Sequence, residues 1–153
     1  RLHFWEIVKQ AASPVVLTPH PGEAARLLGT TIEKVEEDRL AAARALASRS
    51  HAVVVLKGAR TVVCDGTLDD DYCSINPTGG PELATGGSGD VLAGLIGALL
   101  SQGLAAADAA RAAVYIHGVA GDRLAAQHGG RGVISSDLPV AIAGVLRDLL
   151  RPA

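Results

Sequence analysis

The chain has 153 residues, 48% hydrophobic and 20% charged, with a formal net charge of −2. That length and balance suit one globular domain over residues 1–153, and they give no electrostatic case for nucleic acid or an anionic membrane as partner. Aromatics are only 3%, so the core must be built from Ala, Val, Leu and Ile.

Methionine is absent, so Arg1 is not a translation start and the chain is expected to begin partway through something longer. No charged segment followed by an apolar one marks a signal peptide. The first readable element is the strand Val15-Val16-Leu17, stopped by the rigid loop Thr18-Pro19-His20-Pro21-Gly22. A short helix is predicted from Glu23 to Leu28, ended by Gly29. A longer amphipathic helix is predicted from Thr31 to Ser48, with Val35, Leu40, Ala43 and Leu46 facing inward. Val53 to Leu56 is continuously apolar, as in a strand covered on both faces. Thr61 to Cys64 reads as the next strand, with a weaker one from Tyr72 to Ile75. A loop rich in Gly, Pro and Thr runs from Asn76 to Gly89. Three helices then follow, Asp90–Ser101, Ala107–Gln127 and Ser136–Leu150. The most apolar stretch, Val91 to Leu100, is interrupted by Gly94 and Gly97 and is too short to cross a bilayer. This order predicts an α/β fold with helices packed on a mainly parallel sheet.

Cys64 and Cys73 lack metal-ligand spacing and are read as reduced, small hydrophobic residues of a cytoplasmic protein. The run Asp69-Asp70-Asp71 is read as a solvated hairpin tip rather than a metal site. His117 is read as packed within its helix. No protein metal site is predicted.

Ala84-Thr85-Gly86-Gly87-Ser88-Gly89-Asp90 is the strongest chemical signal. Without Cβ atoms, Gly86, Gly87 and Gly89 let backbone N–H groups approach an anion. The loop opens onto a helix whose first amides and dipole favour phosphate. Asp90 then has two readings. It is placed to accept a proton from an attacking hydroxyl, as a general base in phosphoryl transfer does; equally, it suits the start of any helix. There is no GxxxxGK[ST] element, and Leu92 breaks the dinucleotide fingerprint.

Pro19 and Pro21 hold His20 at the carboxyl end of a strand, where α/β sheets bind ligands; the plainer reading is a structural turn. Lys57 follows a buried strand and is one of three lysines against eleven arginines. It can reach the same crevice, or it can be a surface lysine on a hairpin turn.

The ordered set VVLTPHPGE, VVLKGARTVV, NPTGG…ATGGSGDVLAG and YIHGVAGDRLA…SSDL resembles the NAD(P)H-hydrate dehydratase family of the ribokinase-like superfamily, over that family's C-terminal half. The resemblance implies ADP- or ATP-dependent, Mg²⁺-requiring dehydration of hydrated NADH or NADPH. It implies that His20 and Asp90 contact the substrate and that Lys57, Gly58, Ala59, Arg60, Thr61 and Gly89 line the nucleotide site. Two positions depart from the family pattern, Gly80 for Asn and Glu82 for Gly, and Glu82 adds negative charge near the expected phosphate site unless it turns outward. The missing half implies association, with copies of this chain or with a separate N-terminal segment. A vitamin-precursor kinase and a non-catalytic nucleotide-binding fragment are the alternative readings.

Overall fold

The computed structural model describes residues 2–68, 72–130 and 132–151. Val53, Val54, Val55 and Leu56 form β2 and are all buried. β-Branched residues favour the extended backbone, and side chains alternate across it. Val54 and Leu56 therefore pack with one set of helices, and Val53 and Val55 with another. β2 pairs in parallel with β1 (Val16–Leu17) and antiparallel with β3 (Val62–Asp65), which pairs antiparallel with β4 (Cys73–Ile75). The sheet order is β1-β2-β3-β4. The expected mainly parallel sheet is thus corrected to a mixed one. The β1–β2 connection carries a helical crossover, whereas the five residues from Lys57 to Thr61 return the chain directly, which forces an antiparallel pair.

One face of the sheet is covered by α1 (Leu2–Lys9), α2 (Pro21–Leu28), α3 (Ile32–Glu37) and α4 (Arg39–Ser50). The other is covered by α5 (Ser88–Ser101) and α6 (Ala106–Gln127), against which α7 (Leu138–Leu149) builds a further apolar cluster. The single helix predicted over Thr31–Ser48 is two. Asp38 leaves helical geometry and its Oδ1 accepts the Ala41 amide at 2.8 Å, capping α4. Helix α1 lies where no element is predicted. Eight residues cannot sustain a helix alone; this one is held by Trp5, buried in the core beneath the Arg49 guanidinium, 5.0 Å from the ring centroid. Before α7, Ser135–Asp137 forms a 3-10 turn rather than α-helix.

The cysteines are corrected as well. Cys64 and Cys73 are directly opposed across β3 and β4 and are joined in a disulfide. The hairpin register puts them together, a relation that spacing alone does not reveal. The Asp69–Asp71 run lies outside the described residues. No helix among the described residues is long and apolar enough to cross a membrane.

Candidate functional site

Because β1 and β2 are parallel, their carboxyl ends open on the same side of the sheet. The Lys57 amide donates to the Pro19 carbonyl at 2.9 Å, joining the loops that leave the two strands. Arg39 fixes the second loop from below: its Nη2 donates to the Leu56 and Lys57 carbonyls, each at 3.1 Å. Gly58, at φ 141°, leaves room for that guanidinium, which would lie 2.7 Å from an added Cβ.

His20 is the N-cap of α2. Its Nδ1 accepts the Gly22 and Glu23 amides at 3.1 and 3.2 Å, and the Glu23 carboxylate returns to the His20 amide at 2.7 Å. The ring nitrogen that accepts must be unprotonated, so the neutral ring carries its hydrogen on Nε2. Glu23 also reaches Lys57, with Oε2 3.9 Å from Nζ. This carboxylate, unassigned by sequence reasoning, links two of the sequence motifs. Lys57 Nζ in turn lies 3.1 Å from where a Cβ on Gly89 would stand, over the first turn of α5. A side chain at 89 would displace the ammonium group.

A cavity of about 560 Å³ opens here. Lys57, Gly58, Ala59, Arg60 and Thr61 form one wall, Ser88 and Gly89 another, and Leu83, Leu92 and Val114 supply apolar surface. Gly86, Gly87, Asp90 and His20 lie outside this lining. Asp90 is exposed immediately after Gly89. Gly87 is the N-cap of α5 at φ 87°, a conformation that favours glycine, and Gly86 is open to its surroundings. Arg60 adopts φ 53° within the Lys57–Thr61 loop.

Asn76, Thr78 and His117 are among the lining residues that were missed from sequence. Asn76 donates through Nδ2 to the Thr78 and Val114 carbonyls, and Thr78 donates to the Tyr115 carbonyl, strapping the Gly/Pro-rich loop to α6. His117, also on α6, is buried and bonded to Ser88. Burial pushes its pKa below the ordinary value, although the Ser88 carbonyl opposes this. Glu82 does not line the cavity. Its Oε1 accepts the Gly80 amide at 2.6 Å, and a Cβ on Gly80 would lie 2.6 Å from Oε2. The two departures from the family pattern therefore fit each other. Among the described residues, no three His, Cys, Asp or Glu side chains converge as a metal site would require.

The family model for NAD(P)H-hydrate dehydratase matches residues 3–143. The bifunctional NAD(P)H-hydrate repair enzyme of Moorella thermoacetica is 52% identical over 136 residues, covering 89% of this chain and 25% of that protein. The ADP/ATP-dependent NAD(P)H-hydrate dehydratase from Bacillus subtilis, co-crystallized with ATP/Mg²⁺, superposes with a TM-score of 0.82 at 33% identity, over 92% of this chain and 51% of that one. A ribokinase-like superfamily protein from Enterococcus faecalis gives a TM-score of 0.72 at 29% identity over 94% and 49% of the two chains. The chain therefore spans about a quarter of the first relative and about half of the solved chains. On this sequence match and this shared ribokinase-like α/β fold, the chain belongs to the NAD(P)H-hydrate dehydratase family.

Proposed function

We propose that this chain carries the nucleotide-binding and phosphoryl-transfer part of an ADP- or ATP-dependent NAD(P)H-hydrate dehydratase, a cytoplasmic metabolite-repair lyase. The observation that carries the reading is the convergence of Lys57 with the start of α5 at Gly89, beside a cavity of ligand size. An ammonium group and a helix-start amide are complementary to phosphate oxygens. The Ser88 and Asp90 amides donate to the Thr85 and Gly87 carbonyls, so the Gly89 amide is the proposed donor. The apolar wall of Leu83, Leu92 and Val114 suits a flat base. Lys57 to Thr61 with Gly86, Gly87 and Gly89 are the proposed nucleotide contacts. His20 and Asp90, exposed beside the cavity, are proposed to meet the hydrated nicotinamide.

Mg²⁺ fits a donor set of this kind. It retains water and takes phosphate oxygens with few protein carboxylates, so it would arrive on the nucleotide, with Asp90 available to it through water; bound there, it would neutralise phosphate charge. Asp90 accepts the proton of the hydrate's hydroxyl as that oxygen attacks the terminal phosphorus. The bond from phosphorus to the nucleotide's bridging oxygen breaks, releasing AMP from ADP or ADP from ATP. The ring nitrogen's electron pair then expels the phosphorylated oxygen as inorganic phosphate, and loss of a proton from the adjacent carbon restores the dihydropyridine.

Asp90→Asn tests this directly. The chain, supplied with any complementing segment, is assayed with hydrated NADH. Turnover should fall by on the order of 10²–10⁴, with ADP affinity nearly unchanged. Wild-type turnover in the variant removes the base. Stable accumulation of a phosphorylated product in place of NADH would make the chain a kinase instead.

A further inference from the structure

His117 is a buried titratable group that the proposed reaction does not use. It lies in α6, 6% exposed, and lines the same cavity as Lys57: its Nε2 is 3.1 Å from the Ser88 carbonyl oxygen and 3.3 Å from Ser88 Oγ. A carbonyl oxygen only accepts, so Nε2 carries a hydrogen and donates it. Ser88, 4% exposed, is the first residue of α5.

No side chain caps that helix start. The N-cap is Gly87, which has nothing to offer, and Gly86 and Gly89 flank it. Three glycines in four residues give the unfolded chain many conformations here. In the fold the Ser88 amide donates to the Thr85 carbonyl and the Asp90 and Val91 amides to the Gly87 carbonyl, and the Ser88–Gly89 peptide has the His117 bond in addition. The Ser88 carbonyl shares a planar peptide unit with the Gly89 amide, and in a trans peptide the two point in opposite directions. Holding the oxygen therefore aims the N–H. The mount itself is firm: α6 is tied to the loop above it by Asn76 and Thr78, and a Cβ on Gly118 would collide with Thr78.

We infer that His117 is a positioning residue for the phosphate end of the site. Through the Ser88 peptide it holds the Gly89 amide in the direction that a nucleotide's phosphate requires. The inference rests on the nucleotide reading above.

Two variants separate a hydrogen-bonding role from a packing role. His117→Gln returns an amide N–H to the neighbourhood of Nε2, whereas His117→Leu keeps bulk without a donor. Calorimetry with ADP and Mg²⁺ should show binding weakened about tenfold or more in the Leu variant and within about threefold of wild type in the Gln variant. Equal loss in both variants, or loss in neither, overturns the inference. If the Leu variant does not fold, the wild-type protein still decides. Adding ADP with Mg²⁺ should shift the Gly89 amide and the His117 Nε2–H resonances together in NMR spectra, and movement of the first without the second refutes the link. Absence of any nucleotide binding by the wild type is a distinct result. It removes the nucleotide reading and takes this inference with it.

Discussion

His20 illustrates how one side chain can hold two roles that a single substitution would confuse. Its Nδ1 caps α2, and its Nε2 edge is the part proposed to meet the substrate. Alanine would remove both. His20→Asn should retain a cap, since asparagine is among the preferred N-cap residues, while withdrawing the imidazole. Its thermal melt should stay near wild type and its turnover of hydrated NADH should fall at least tenfold. A His20→Asn variant with full turnover would leave His20 a capping residue only. His117 allows a pH test. Burial depresses its folded-state pKa below the ordinary 6.5 or so, so the unfolded chain takes up the proton first as pH falls. Its contribution to stability is complete above that value and is lost as pH drops through the folded-state value. Between pH 7.5 and 5.5 the wild-type melting temperature should therefore fall more steeply than that of His117→Gln. Parallel slopes would show that the ring does not titrate between the two states.

The elements that shape the cavity are held by contacts between small residues. Helix α6 presents Gly118 and Gly121 to the loop running from Asn76 to Ala84. A Cβ on Gly118 would collide with the Thr78 side chain, and one on Gly121 would lie 2.7 Å from Leu83. Gly118→Ala gains in helix propensity but must push the strap away from α6. Overpacking of this kind costs about 1–3 kcal/mol, and the strap is one wall of the cavity. Thermal denaturation should show a net loss of stability, and calorimetry a weaker affinity for ADP. A stabilised variant with unchanged affinity would show that the loop yields freely. At the same scale, the αL glycine that ends α2 at position 29 is local and was readable from sequence, whereas the caps at His20 and Thr31 emerged only in the fold; histidine is not among the usual N-cap residues. The break at Asp38 was not readable either. An acidic residue inside an amphipathic pattern looks like helix surface until packing against the sheet turns the chain.

Across the whole molecule, the sheet presents β1 at one edge with two paired residues and a single partner strand. Beside it, Phe4, Leu17, Thr18, Pro19, Glu23, Arg26 and Leu27 line a further cavity of about 390 Å³. An edge strand with unpaired amides and carbonyls, next to apolar surface, favours association. The chain should therefore sediment at micromolar concentration as an oligomer, or copurify with a segment that supplies further strands and restores turnover. A stable monomer with full dehydratase activity would show that no such cover is needed.

TPHPGE, LKGAR and the glycine loop could be recognised in sequence because their character is local: a proline, a glycine or a charged residue beside the end of an apolar run. The α/β class followed from the order of those runs. The direction of β3 and β4, the Cys64–Cys73 bond, the Glu23–Lys57 contact, the Arg39 clamp and the His117–Ser88 hydrogen bond depended on tertiary structure. In each case the meaning of a residue rests on a partner distant along the chain or across a register. Arg39 lies 17 and 18 residues from the carbonyls it binds, and His117 lies 29 from Ser88. Local pattern specifies which residues a turn or helix start presents; only the folded chain brings a second element close enough to hold them in place.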